Sequence, residues 1–94
     1  MVKEVRASHI LVANEEHAKE LITKLKQGAS FEETARQFSK CPSARNGGDL
    51  GFFGKGMMVP EFERAAWALE KGKMTEKAVK TQFGFHIIKK TDER

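Results

Sequence analysis

The spacing of apolar residues along the chain predicts β-structure at both ends and helices in between. Residues 5–12 are rich in apolar and β-branched side chains, which indicates a buried strand. Asn14 and Gly28 then bracket a first helix as its N-cap and its stop signal. The buried stripe of this helix follows helical spacing and consists of Ala18, Leu21, Ile22 and Leu25. The chain therefore opens with a strand and an amphipathic helix.

A second helix is predicted after Ser30, which has the spacing of a capping box to Glu33. Its apolar stripe consists of Phe31, Thr34, Ala35 and Phe38. From residue 39 to residue 56 a proline and five glycines exclude long regular structure, although residues 50–53 could form a short strand.

A third helix is predicted to begin at Pro60, a residue well suited to the first helical position, and to end by Gly72. Its stripe consists of Phe62, Ala65, Ala66 and Leu69. Residues 79–81 and 85–91 predict two closing strands joined by a turn near residues 82–84. The order of elements, β-α-α-loop/β-α-β-β, predicts an α+β domain with helices packed on an antiparallel or mixed sheet.

Length and composition place the chain among ordinary globular domains. Its 94 residues predict one domain over residues 1–94, and 39% hydrophobic and 32% charged residues suit a soluble protein. No apolar run approaches the roughly 20 residues of a membrane helix, so we expect no membrane partner. The lone Cys41 excludes an internal disulfide and favours the cytoplasm. We also expect a monomer, because no apolar stripe is left over, and a stand-alone chain, because Met1 directly precedes the domain.

The net charge of +4 raises the possibility of nucleic-acid binding. The basic residues are nevertheless scattered and mixed with glutamates, and the pair Lys89 and Lys90 is interpreted as part of a solvated edge. We therefore expect no specific nucleic-acid partner.

Two histidines lie in similar apolar segments at opposite ends of the chain. His9 stands in ASHILV (residues 7–12), and His86 stands in FGFHII (residues 83–88). Burying a neutral imidazole costs little only if its ring nitrogens find hydrogen-bond partners. The pattern therefore suggests a polar pair within a sheet, which could line a site together with Cys41 and the glycine-rich loop.

Other kinds of site fit the sequence less well than this histidine pair. The glycine loop lacks the G-x-x-x-x-G-K-[ST] phosphate-binding motif, because Asp49 and Gly56 stand where a glycine and a hydroxyl residue are needed. No ligand spacing for zinc exists, so we expect no metal and no cofactor. Cys41 could form a nucleophilic pair with a histidine, but an inert half-buried thiol is favoured. Met57 is expected in the core, whereas Met58 could lie either in the core or in a pocket wall.

Five segments of the chain together form a distinctive pattern. They are ASHILV (7–12), FSKCPS (38–43), GGDLGFF (47–53), MVPEF (58–62) and TQFGFHIIK (81–89). In these segments the chain resembles the parvulin family of peptidyl-prolyl cis/trans isomerases, in particular its small single-domain prokaryotic members. The resemblance spans about residues 5 to 91. It implies an FKBP-like α+β fold, in which about four helices surround a four-stranded antiparallel sheet.

The resemblance also implies the residues of an active site. It places His9 and His86 side by side on central strands, supported by Thr81, and Cys41 near the isomerising bond. The proline ring is expected in an apolar pocket formed by the substrate-binding residues Leu50, Met58 and Phe62, with Phe53 on its margin.

The implied activity is rotation about Xaa-Pro bonds in proline-containing polypeptides, assisting protein folding by a noncovalent mechanism. The basic loop with which some parvulins bind phosphate is absent, since Glu15 and Glu16 follow the first strand closely, and so we expect no phospho-specificity. The alternative is a non-catalytic chaperone or peptide-binding module with the same fold.

Overall fold

The computed structural model describes residues 2–94 and contains four strands. They are β1 (Glu4–Val12), β2 (Asp49–Gly54), β3 (Val79–Thr81) and β4 (Gly84–Glu93). All neighbouring strands are antiparallel, in the order β2-β1-β4-β3. The strands nearest the two ends of the chain are therefore the central strands of the sheet, which confirms the α+β prediction.

Three α-helices and one short 3₁₀ helix connect the strands within residues 2–94. They are α1 (Glu15–Lys26), α2 (Phe31–Phe38), the 3₁₀ helix (Pro42–Asn46) and α3 (Pro60–Ala68). The predicted caps are present, because Asn14 Oδ1 accepts a hydrogen bond from the His17 backbone N–H at 2.8 Å, and Ser30 Oγ accepts one from that of Glu33 at 3.2 Å. Helix α3 ends at Ala68, four residues earlier than Gly72, with an extended residue as its C-cap.

The sheet separates two apolar clusters, because side chains alternate between its faces along β1 and β4. Ile10 and Val12 pack with the buried stripes of α1 and α2 on one face. Val5 and Ala7 pack with Phe62 of α3 on the other. His9 has the same parity as Val5 and Ala7, and so its ring lies on the α3 face of the sheet.

Two predictions of burial were wrong. Phe38 is 37% exposed, because it is the last residue of α2 and its ring packs edge to face with that of His17 and belongs to neither core cluster. Met57 is 69% exposed, because it lies in the turn before α3, where its sulfur receives the Gly54 N–H at 3.3 Å.

Lys90 was expected to be solvated, and this prediction was wrong, because only 3% of the residue is exposed. Its ammonium group donates to the carbonyl oxygen of Leu69 at 3.0 Å and pairs with the carboxylate of Glu93. A buried ammonium group is tolerated only with such partners. Lys90 thereby ties β4 to the end of α3.

The glycine-rich loop lies directly on the backbone of β1. The His9 N–H donates to the Gly48 carbonyl oxygen at 2.9 Å, and a Cβ atom on Gly48 would come within 2.3 Å of the His9 carbonyl oxygen. Gly48 also has a φ of +88°, a conformation that side chains rarely adopt. Only glycine fits this contact.

We expect Gly48→Ala to destabilise the fold by about 3 kcal/mol or more, because it adds a backbone clash to left-handed strain. Gly51→Ala is the matched control, since Gly51 also has a positive φ (+72°) but open space around it, and it should cost only about 1 kcal/mol. Urea unfolding followed by the fluorescence of the single tryptophan, Trp67, measures both. Equal losses in the two variants would contradict this account of the loop.

Candidate active site

The two histidines meet between the central strands. In the antiparallel register, His9 of β1 lies opposite Ile88 and His86 of β4 lies opposite Leu11, so the histidines are diagonal neighbours. Their Nδ1 atoms share a hydrogen bond of 3.0 Å, and the rings are nearly parallel, with 17° between their planes. Both are at most 5% exposed. The predicted buried polar pair is thus present.

Thr81 extends this pair into a chain of hydrogen bonds. Its Oγ1 lies 2.7 Å from Nε2 of His86 and also accepts the backbone N–H of Phe83 at 3.1 Å. A bond between two Nδ1 atoms requires one protonated and one bare nitrogen, so the tautomers are coupled. If the Thr81 hydroxyl donates to His86, then His86 donates to His9 and the proton of His9 sits on Nε2.

The far nitrogen of His9 marks the limit of this network. Its Nε2 is buried, and no atom of residues 2–94, the Cys41 sulfur included, is hydrogen-bonded to it. The rings therefore satisfy one another at their facing nitrogens alone.

Burial keeps both imidazoles uncharged at neutral pH. Desolvation, together with repulsion from a charged His86, lowers the pKa of His9 from 6.5 to about 4. Desolvation also lowers the pKa of His86. A proton on either ring would be held in an apolar environment without a counter-ion.

An apolar pocket of about 490 Å³ opens above the pair. Its lining comes from β1, from residues 40–62 and from the last hairpin: His9, Leu11, Lys40, Cys41, Pro42, Leu50, Met57, Met58, Val59, Phe62, Phe83 and His86. This volume is large enough for a proline ring and part of its neighbours.

Phe62 joins the pocket to the histidine pair. Its ring meets both imidazoles edge to face, with centroid distances of 5.4 Å to His9 and 5.4 Å to His86. Phe62 itself is only 3% exposed. The histidines and Phe62 together therefore form the closed end of the pocket.

The loops that carry pocket residues are tied to β1 by polar contacts. Arg6 donates to both carboxylate oxygens of Asp49, at 3.1 and 2.7 Å, and Asp49 also accepts the Gly51 N–H at 3.0 Å. The hydrogen bond from Arg6 is the main cause that lowers the pKa of Asp49. These bonds hold both neighbours of Leu50, and so they position its side chain in the pocket wall.

Ser39 provides the corresponding tie for Cys41. Its Oγ accepts the backbone N–H of Leu11 at 3.0 Å and that of Cys41 at 3.4 Å. The half-buried thiol is therefore held beside the pocket from β1.

Most of the predicted site residues come together in the structure. Six of them line the pocket: His9, Cys41, Leu50, Met58, Phe62 and His86. Thr81 is buried behind His86 and does not line the pocket, in keeping with a supporting role. No group of residues within 2–94 has the ligands for a metal ion.

Phe53 is the exception and must be corrected. It is 1% exposed and lies in the core, because its position opposite Val5 in β2 directs the ring beneath α3. Its ring packs 6.0 Å from Phe62 and 5.8 Å from Trp67, so Phe53 supports the pocket from behind.

Sequence reasoning missed the rim of the pocket. Met57 and Phe83 are 69% and 62% exposed, and Lys40 also lines the pocket. The one signal in the sequence was the position of Phe83 in a predicted hairpin turn, where an exposed phenylalanine has no packing role.

This fold and this pocket define a small α+β domain with an apolar cleft backed by uncharged histidines. The chain belongs to the PPIC-type peptidyl-prolyl isomerase family, whose domain model matches residues 1–94, and it is thus a parvulin-type isomerase domain.

Relatives agree with this assignment. The foldase protein PrsA of Geobacillus sp. (strain WCH70) is 54% identical over 90 residues, covering 95% of this chain and 32% of that protein. The crystal structure of PrsA from Bacillus anthracis has a TM-score of 0.96 at 49% identity and covers 99% of this chain and 43% of that one. NmPin, the parvulin of Nitrosopumilus maritimus, has a TM-score of 0.85 at 41% identity, with coverage of 96% and 97%.

The chain spans about a third of the length of the curated relatives, since it covers 32% and 31% of two PrsA proteins. Within residues 2–94, no helix has the length and apolar character needed to span a membrane.

We expect the domain to lose stability as the pH falls from 6.5 to 4. In this range the histidines of the unfolded chain bind protons, whereas the buried histidines of the folded domain stay neutral. The pKa of His9 is lowered to about 4, so stability is complete above pH 6.5 and is lost as pH falls. Between pH 7.5 and pH 5, the protonation of His9 should lower the free energy of unfolding by about 2 kcal/mol. Urea unfolding at the two pH values measures the change.

The double variant His9→Leu with His86→Leu should lose this pH dependence. It should also be less stable at pH 7.5, because the buried Thr81 hydroxyl loses its hydrogen bond to His86 and keeps only the one from the Phe83 N–H. His17→Gln is the control, since it removes a histidine outside the pair and should keep the decline. A wild-type free energy of unfolding that is equal at pH 7.5 and pH 5 would contradict this interpretation.

Proposed function

We propose that the apolar pocket receives the proline ring of an Xaa-Pro segment and that the domain accelerates rotation about the preceding peptide bond without forming a covalent intermediate. The observation that carries this proposal is the closed end of the pocket, where Phe62 packs edge-on against both imidazoles. It offers an apolar, preformed surface of suitable size for the ring.

The chemistry of the reaction suits such a pocket. Rotation must overcome a barrier of about 18–20 kcal/mol, because it breaks the resonance of the amide, yet no bond needs to be made or cleaved. Removal of water disfavours the polar planar amide relative to the twisted state, provided that the ring is held while the carbonyl side turns. A rate gain of about 10⁵ would require roughly 7 kcal/mol of such differential stabilisation.

The state of the polar residues favours the noncovalent mechanism. A base for Cys41 would have to contact the thiol, and the unpartnered Nε2 of His9 makes no such hydrogen bond. The pKa of about 4 also makes His9 a weak base at neutral pH. In this proposal the histidines hold the shape and the electrostatics of the pocket, while Cys41 contacts the substrate at its edge.

The biological role follows from slow prolyl isomerisation, which limits the folding of many chains over tens to hundreds of seconds. Family membership favours this catalytic role over the non-catalytic binding module. The exposed side chains of Met57 and Phe83 in the pocket lining offer apolar surface to other parts of the bound segment.

We do not propose phospho-specificity. Only Ala13 and Asn14 separate β1 from α1, so the chain has no inserted basic loop at this place. Glu15 lines a groove between α1 and residues 76–78 and not the apolar pocket, so the absence of the basic loop is the argument against phospho-specificity. The cytoplasmic location and the monomeric state also stay predictions.

We expect Phe62→Ala to lower kcat/KM by about 100-fold, because the proline ring loses its contact surface and its alignment. A peptide assay of cis-to-trans relaxation measures the change, and circular dichroism checks that the variant is folded. Met58→Ser provides a second test if Phe62→Ala unfolds, since Met58 is only partly buried. Phe38→Ala is the control, because Phe38 lies outside the pocket. No acceleration by the wild-type domain would overturn the proposed function.

We expect Cys41→Asp to retain isomerase activity within about tenfold of wild type, because the mechanism needs a small polar group and no nucleophile. The same relaxation assay measures this, with Cys41→Ser as the smaller change. Complete loss of activity in both variants, with unfolding curves like that of the wild type, would restore an obligatory role for the thiol.

A further inference from the structure

The apolar pocket carries a single formal charge at neutral pH. Its lining contains no carboxylate, and its two histidines are uncharged because burial lowers the pKa of each. Lys40 is the one cationic side chain among the lining residues. The formal charge among the side chains that line the pocket is therefore positive.

The place from which this charge projects is defined by the backbone. The Lys40 N–H donates to the carbonyl oxygen of Leu11 at 2.8 Å, and the neighbouring Cys41 N–H is held by Ser39. The first atoms of the Lys40 side chain are thus anchored to β1. Its long stem can follow the apolar wall while the ammonium group stays in water, as lysine side chains commonly do.

No carboxylate of the protein neutralises Lys40. Within residues 2–94 the ion pairs join Arg6 to Asp49, Lys26 to Glu76, Arg36 to Glu33, Lys71 to Asp92, Lys90 to Glu93 and Arg94 to Glu4. Lys40 takes part in none of them. The ammonium group is therefore available to a bound segment.

We propose that Lys40 is a specificity-determining residue that favours substrates with an acidic side chain next to the isomerising proline. This inference rests on the proposed function, because it assumes that the proline ring occupies the pocket. An acidic residue beside the proline lies within reach of the flexible Lys40 side chain at the rim. A basic residue in the same position meets repulsion that no nearby carboxylate relieves.

The expected effect is modest, because the ion pair is exposed to water. Attraction of a glutamate and repulsion of a lysine together should separate kcat/KM for otherwise equal peptides by about three- to tenfold at low salt. Added salt should shrink the difference, since exposed charges are screened.

The test uses two series of proline peptides, with glutamate, glutamine or lysine placed directly before or directly after the proline. For the wild type we expect the glutamate peptide to exceed the lysine peptide in at least one series. Lys40→Met should reduce this ratio to below about twofold, and Lys40→Glu should invert it. Lys24→Met is the matched control, because it removes one positive charge from an exposed residue of α1 outside the pocket.

The outcomes separate this inference from the proposed function. If no peptide is accelerated, the proposed function itself is wrong. If all peptides are accelerated equally, or if the preference survives in Lys40→Met, the inference about Lys40 is wrong and the function stands. Equal loss of the preference in Lys24→Met and Lys40→Met would assign it to net charge, and would also overturn the role of Lys40.

Discussion

The hydrogen bond between the imidazoles of His9 and His86 is the contact on which the rest of the site depends. It joins the two central strands at 3.0 Å within the apolar interior and gives each of the two facing Nδ1 atoms a partner there, which offsets the cost of burying them. Its formation requires the antiparallel register of β1 and β4, the Thr81 hydroxyl behind His86 and the close approach of Gly48 to His9. The residues that hold the pair together come from distant parts of the chain, so the complete fold is needed to build it.

Because of this hydrogen bond, the polar and the apolar residues contribute differently to the pocket. Two uncharged rings form a flat, weakly polar base beneath the pocket, and the pKa of about 4 for His9 keeps that base uncharged at neutral pH. Phe62 covers both rings and turns the polar pair into part of an apolar wall. The pair thereby serves the pocket through its shape and its electrostatics, which suits a reaction that makes and breaks no bond.

Much of the fold was predictable because its periodicities are local. Asn14 and Ser30 cap helices as expected, and the stripe from Ala18 to Leu25 is buried, since capping and amphipathicity act within a few residues. The two similar apolar segments suggested a polar pair, but only the resemblance to parvulins placed His9 and His86 side by side on central strands, because they stand 77 positions apart. Lys90 and Phe53 were misjudged, since their burial depends on α3, whose placement over the sheet no local pattern describes.

The site thus combines an interior that is fixed by hydrogen bonds and packing with a rim of exposed side chains. Side-chain bonds from Ser39 and Asp49 to the backbone fix the loops around Cys41 and Leu50. The exposed side chains of Met57 and Phe83 lie at the mouth of the same pocket, without comparable packing. Substitution at the rim costs little stability, whereas substitution in the interior disturbs the hydrogen-bonded pair and the core. Differences in substrate preference among domains of this kind are therefore expected to arise at rim positions, while the interior keeps the isomerase activity that they share.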